Sequence, residues 1–340
     1  MNKGLVISNN RIYDTGGREL NKNEAVVMYP PKVLSFFDNT NATMLLFEQA
    51  RMFLKCSNCY ELIYNLKNVE KITIDVIMYM IALSNDIRKE KPYVKFTLKL
   101  PAKEETKNFV KKCGLKQFVK GEKKYLVEDC KDYYTIAIGS KADPIVTKGI
   151  CEFVYPFLEI DKSDGFFLYN TFIELMNNAE QHAYDYARDD KKWFTFVENT
   201  KDKIKFTFLD TGIGIPNTIS KKTSNKQENF NALDLVDIAA NKDARFIFSA
   251  LIRENKRSQT GLENRGHGLP EIYSYYKDGK YTSNLKIISG HGICMFSDEN
   301  RNKPVLIDMR RKFHGTLFFW EIKKEDFAKE VQKYDKNKYI

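Results

Sequence analysis

Nothing in this chain of 340 residues is long and apolar enough to cross a bilayer. The most hydrophobic central run, Val76 to Leu83, falls far short of the roughly 20 residues a spanning helix needs. The amino-terminal stretch MNKGLVISNNRIYD has no apolar signal core. No membrane association is therefore expected, and the chain reads as cytoplasmic. Histidine is scarce, at four residues, and the six cysteines are scattered at 56, 59, 113, 130, 151 and 294. Only Cys56 and Cys59 have CxxC spacing, with no second pair or histidines at ligand spacing to complete a zinc ribbon. The expected state is free, mostly buried thiols in a reducing compartment.

Hydrophobic residues make up 43% of the chain, which excludes wholesale disorder and suffices for two ordinary domains. The formal charge is +10, but lysines are dispersed and acidic residues interleave the basic tail from Lys323 to Lys338. Such charge is a solvated surface in most proteins. It leaves nucleic-acid binding unsupported, though not excluded.

Residues 1–138 read as a small α/β domain. Helical pattern covers Thr43 to Leu54, and strand pattern covers Leu62 to Leu66 and Lys71 to Asp75. Val76 to Lys89 reads as a mostly buried helix. Tyr93 to Leu100 alternates as a half-buried strand stopped by Pro101. Lys103 to Cys113 is a helix closed by Gly114, and Phe118 to Val127 suggests a last short strand. A linker at 139–144 leads to a second domain over 145–325, and a charged tail spans 326–340.

The second domain is organised around a helix beginning at Phe166 and expected to reach Tyr186. Glu174, Asn178 and His182 recur every four residues and share one face. Phe172, Leu175, Met176 and Ala179 form the core stripe. A carboxylate, an amide and an imidazole in a row can hold a metal and activate a water, or can simply face solvent. Two strands follow, Trp193–Glu198 and Lys203–Leu209, read as a hairpin. The second runs into Asp210-Thr-Gly212-Ile-Gly214-Ile215-Pro216. The aspartate can accept from an exocyclic amine, and the glycines let backbone pass close to a flat ring. As a bare pattern, the box could also be a turn. A segment of about 217–263 has the length of a lid, with helical patches at 234–240 and 245–253. Arg265-Gly266-His267-Gly268-Leu269 then opens a helix from Leu269 to Tyr276, where free amides and the positive helix end suit phosphates. Leu285–Ser289 and Ile293–Phe296 read as a hairpin around Gly290-His291-Gly292. Gly315-Thr316 leads into the last strand, Leu317 to Ile322.

In this order, Glu174-x-x-x-Asn178-Ala, Asp210-x-Gly212-x-Gly214, Gly266-x-Gly268-Leu269 and Gly315-Thr316 resemble the GHKL superfamily of ATPases and kinases over roughly 150–323. The closest motif style is that of anti-sigma-factor serine kinases, through Asn178-Ala-x-x-His182-Ala-Tyr184. The resemblance implies a Bergerat α/β sandwich, a mixed sheet with helices on one face. It implies ATP and Mg²⁺ as ligands. Asn178 would hold the metal, with Glu174 beside it as base for water or for a hydroxyl. Asp210 and Thr316 would meet adenine, and Gly212, Gly214 and Ile215 would line its pocket. Gly266, His267, Gly268 and Leu269 would cradle phosphates, with Arg265 either a supplementary charge or a surface residue. His182 would be a structural hydrogen-bonding group behind the site.

The run from Val69 to Val119 resembles the second half of a STAS-like domain, with Val76-Ile77-Met78 where phosphorylatable members carry serines. That implies a docking or regulatory role for 1–138 toward a protein partner, and leaves a homodimer open. The expected activity is a Mg-dependent ATPase controlling partner contacts. The alternatives are a partner-switching serine/threonine kinase and a non-hydrolysing ATP sensor.

Overall fold

The computed structural model describes residues 5–8, 11–14, 25–55, 60–120, 132–162, 165–181, 192–218, 243–252, 268–277, 283–298 and 303–325. The chain divides into two compact units, Met1–Val127 and Glu128–Ile340. Both mix helices with strands, and the molecule contains both parallel and antiparallel sheets. Among the described residues no helix is long and apolar enough to cross a membrane.

In the first unit, β1 (Leu5–Ser8) and β2 (Arg11–Asp14) pair antiparallel. Strands β3 (Ala25–Met28), β5 (Glu61–Asn65) and β7 (Lys95–Lys99) form a parallel sheet in that order. A second parallel pair joins β4 (Val33–Leu34) to β6 (Lys71–Ile72). Parallel neighbours need crossovers. These are supplied by α1 (Thr40–Lys55) and α2 (Ile74–Glu90). The apolar run from Val76 to Leu83 is the middle of α2, and every residue of it is buried. It is a core helix, hydrophobic nearly all round because it is enclosed nearly all round.

Two expectations for this unit change. Asp75 does not end a strand: β6 stops at Ile72, and Asp75 occupies the first turn of α2, where its Oδ2 accepts from the Phe36 N–H at 3.1 Å. Phe118 is not in a strand either. After α3 (Glu104–Lys112), Gly114 takes a φ of 66° and the chain enters a second short helix, α4 (Leu115–Lys120), which buries Leu115 and Val119.

The second unit is built on one five-stranded sheet. Its strands are β8 (Tyr133–Gly139), β9 (Trp193–Asn199), β10 (Lys203–Asp210), β11 (Ser283–Met295) and β12 (Val305–Lys323). The spatial order is β11-β12-β10-β9-β8, and every pairing is antiparallel. The mixed sheet expected here is thus corrected: among the described residues, parallel pairing is confined to the first unit. The domain edge also shifts, because β8 crosses the expected boundary at 138 and hydrogen-bonds to β9.

Four helices contribute to one core against this sheet: α5 (Pro144–Leu158), α6 (Phe166–Gln181), α7 (Asp243–Ile252) and α8 (Gly268–Lys277). Strand alternation supplies the other half, from Trp193, Val197, Ile204, Phe206, Phe208, Phe318, Trp320 and Ile322. Phe172 of α6 fastens helix to sheet. Its ring lies 6.0 Å from Phe206 and 5.4 Å from Trp320, which stack on each other across strands at 5.0 Å. Residues on the opposite sheet face, such as Phe194, Phe196, Leu209 and Leu317, are buried as well.

Gly290-His291-Gly292 does not make the expected hairpin. β11 runs straight through it, with ladder irregularities between Ser289 and Gly292. A Cβ at Gly292 would sit 2.4 Å from the Ala244 nitrogen, so glycine serves the close approach of α7 here, not a reversal. The last strand correspondingly begins at Val305, not Leu317. Pro156 lies inside the last turn of α5 and does not end it. The helical expectation over 234–240 and the central part of the lid lie outside the described residues.

Candidate functional site

One cross-strand row spans the end of the sheet where β10 finishes: Gly139, Trp193, Asp210, Thr316 and Ser289, in strand order β8-β9-β10-β12-β11. Residues in a row share a face. Asp210, Thr316 and Ser289 therefore lie on the helix-covered face, in line with Trp193. The Asp210 and Gly315-Thr316 boxes are 105 positions apart in the chain, yet β10 and β12 make Asp210 and Thr316 direct partners.

The loop after Asp210 is tied down by hydrogen bonds to Asp210 itself and to β11. Asp210 Oδ1 accepts from the Gly212 N–H at 2.7 Å, which orients the carboxylate. Ser289 Oγ accepts from the Ile215 N–H at 2.9 Å. The same hydroxyl donates to the Gly315 carbonyl at 3.0 Å and lies 3.2 Å from Thr316 Oγ1. Gly315 has a φ of 110°, and a Cβ there would stand 1.9 Å from the Asp210 carbonyl oxygen. Only glycine fits that conformation and that contact. Within the row, Thr316 is 3% exposed, and Ser289 is fully buried.

Helix α6 reaches the same end of the sheet. Its Met176 and Glu180 bracket Asn178 and receive hydrogen bonds from the backbone N–H groups of Asp143 and Ala142. The adjoining Lys141 carbonyl accepts from Trp193 Nε1 at 2.8 Å, and Trp193 is the cross-strand partner of Asp210. The predicted core stripe of α6, Phe172, Leu175, Met176 and Ala179, is buried. Glu174 and Asn178 are half-buried. Asn178 Nδ2 is buried with no hydrogen-bond partner among the described residues. An unpaired buried donor costs about 1–3 kcal/mol. An anionic ligand oxygen is a group that would satisfy it.

Gly268 is the first residue of α8, and Leu269 packs on the core. Arg265, Gly266 and His267 lie outside the described residues, as does His182. Among the described residues no group of three or more His, Cys, Asp or Glu side chains could hold a metal ion. That donor set still fits Mg²⁺, which takes one or two protein oxygens and completes its shell with waters and substrate phosphates. Glu174 and Asn178 are the residues present to supply them.

Two residues central to this geometry were not expected. Ser289 joins three segments, and Asp243 at the start of α7 accepts from the His291 N–H at 2.6 Å. Ser289-Gly290-x-Gly292 repeats the grammar of Asp210-x-Gly212-x-Gly214, a polar residue followed by spaced glycines, and that was the available signal. No protein-family model matches the chain, and no curated protein sequence matches it.

Proposed function

We propose that the second unit is a Mg²⁺-dependent ATP-binding domain of GHKL type with a Bergerat arrangement, and that its nucleotide state controls protein contacts. The observation that carries this reading is the row Asp210–Thr316–Ser289, closed by the Gly315 approach, at the end of the sheet reached by the unsatisfied amide of Asn178. In this reading the oriented Asp210 carboxylate accepts from the adenine amino group, and Thr316 stands beside it. Gly212, Gly214 and Ile215 form the wall against the ring. Asn178 and Glu174 would hold Mg²⁺, which neutralises phosphate charge when bound. Glu174 takes the proton of the attacking water in hydrolysis, or of a substrate hydroxyl in transfer. The start of α8, with Gly268 and Leu269, faces phosphates through its free amides.

The reaction is ATP hydrolysis in the first instance. The Asn178-x-x-x-His182-Ala-Tyr184 pattern favours a second reading, phosphotransfer to a serine or threonine of a partner docked on the STAS-like first unit. Incubation with γ-labelled ATP separates them. Free phosphate that disappears in Glu174→Ala supports hydrolysis. Label on an added partner supports transfer, and binding without either supports a sensor. Asp210→Ala is expected to abolish ATP binding measured by calorimetry. Unchanged binding in that variant would remove the nucleotide assignment altogether.

A further inference from the structure

β12 is much longer than the sheet needs. It pairs with β10 only from Thr316 to Lys323, and its amino-terminal part, from Val305, pairs with β11 alone among the described residues. That arm carries Val305, Leu306 and Ile307 in succession, exposed by 46%, 36% and 41%. Three consecutive exposed apolar residues on a strand bare both of its faces and its edge. Such an edge offers unpaired backbone groups to another chain.

The surrounding charge is predominantly basic. Lys303, Arg310 and Lys312 are exposed around the apolar triplet. Asp308 is the one acid between Lys303 and Lys312; it is itself exposed, and its Oδ1 accepts from the Ala244 N–H in the first turn of α7 at 3.0 Å, which leaves the basic side chains in excess. Basic side chains on an edge oppose pairing with an identical edge. A second copy of this chain, itself carrying +10, would bring the same cations face to face.

We propose that the outer edge of β12 over Val305–Asp308 is a docking site for an extended acidic–apolar segment of another protein, added as a further strand. Backbone pairing supplies the affinity, alternate apolar side chains cover Val305 and Ile307, and acidic ones meet Lys303, Arg310 and Lys312. This inference is independent of nucleotide binding.

The test uses the full chain and a fluorescein-labelled peptide of alternating valine and glutamate, followed by anisotropy. Its counterpart with lysine for glutamate is the control. The acidic probe is expected to bind and the basic probe not. Arg310→Glu with Lys312→Glu, both at exposed positions, should weaken the acidic probe at least about tenfold and gain affinity for the basic one. Ile307→Pro should abolish binding of the acidic probe. No binding of the acidic probe, or equal binding of both probes, overturns the proposal. So does a dimer seen by light scattering that Ile307→Pro dissociates, since the occupant is then a second copy. Equal loss of a peptide-free interaction with anionic vesicles in the charge-reversed protein, without peptide binding, would assign the patch to a membrane surface instead.

Discussion

Asp75 shows how a single buried charge shapes stability in the first unit. It is 4% exposed in the first turn of α2, and burial raises its carboxyl above the ordinary range, opposed by hydrogen bonds from Thr73 and the Phe36 backbone. The folded state therefore holds this proton more tightly than the unfolded chain. The contribution is neutral below the unfolded value near 3.9, and stability falls as pH rises from there through the raised native value. Asp75→Asn keeps an acceptor for the Phe36 N–H and cannot ionise. Urea titrations of both proteins across that window should show the variant's stability advantage growing with pH and vanishing at the acid end; a constant difference would refute the argument. Asp75→Ala leaves the Phe36 N–H unpaired and is expected to lose about 1–3 kcal/mol at the acid end, a deficit that shrinks as pH rises and the parent ionises. The cysteines are simpler. Cys113, Cys151 and Cys294 are buried, and burial pushes the Cys294 thiol up to about 12. They behave as small apolar core groups.

Elements with a clean hydrophobic period were legible in the sequence. The stripe Phe172-Leu175-Met176-Ala179 marked α6 and its buried face, and the alternation in Lys203–Leu209 marked β10. What periodicity could not reveal was register and direction. The antiparallel run of the whole sheet depends on which strands meet, and β8 joins β9 across a stretch of more than 50 residues. Glycine pairs misled for a physical reason: the same residue that permits a turn also permits a close crossing. Gly290 and Gly292 mark a crossing under α7, so β11 is one strand. The site was half legible. Asp210, Gly214 and Thr316 stood out as boxes, whereas Ser289 has meaning only once β11, β12 and the 211–215 loop converge on its hydroxyl. Gly315→Ala tests that convergence at the level of the elements. The new methyl group meets the Asp210 carbonyl oxygen, and a φ of 110° strains any side chain. A loss above about 2 kcal/mol is expected, with faster amide exchange at Ile215, since β12 and the loop must part. A variant as stable as the parent would mean that the two segments do not rely on this contact.

The whole molecule offers a way to watch its two units separately. The chain has only two tryptophans, Trp193 and Trp320, and both lie buried in the second unit. Tryptophan fluorescence therefore reports unfolding of the second unit alone, while far-ultraviolet circular dichroism sums both. Each unit has its own sheet and its own buried residues, so each is expected to unfold cooperatively by itself. Ligand that binds only the folded second unit stabilises that unit by mass action, about 2.7 kcal/mol at one hundred times its dissociation constant. Addition of Mg-ATP should then move the fluorescence-detected urea midpoint upward. The dichroism curve should split, with one component moving and the other staying in place. In the proposed reading EDTA should reverse the shift, because Glu174 and Asn178 would act on phosphate through the metal. A fluorescence midpoint that ignores Mg-ATP would remove the nucleotide site from the second unit. Coincident movement of both signals would instead mean that the units unfold as one cooperative body, and that nucleotide binding is felt directly by the first.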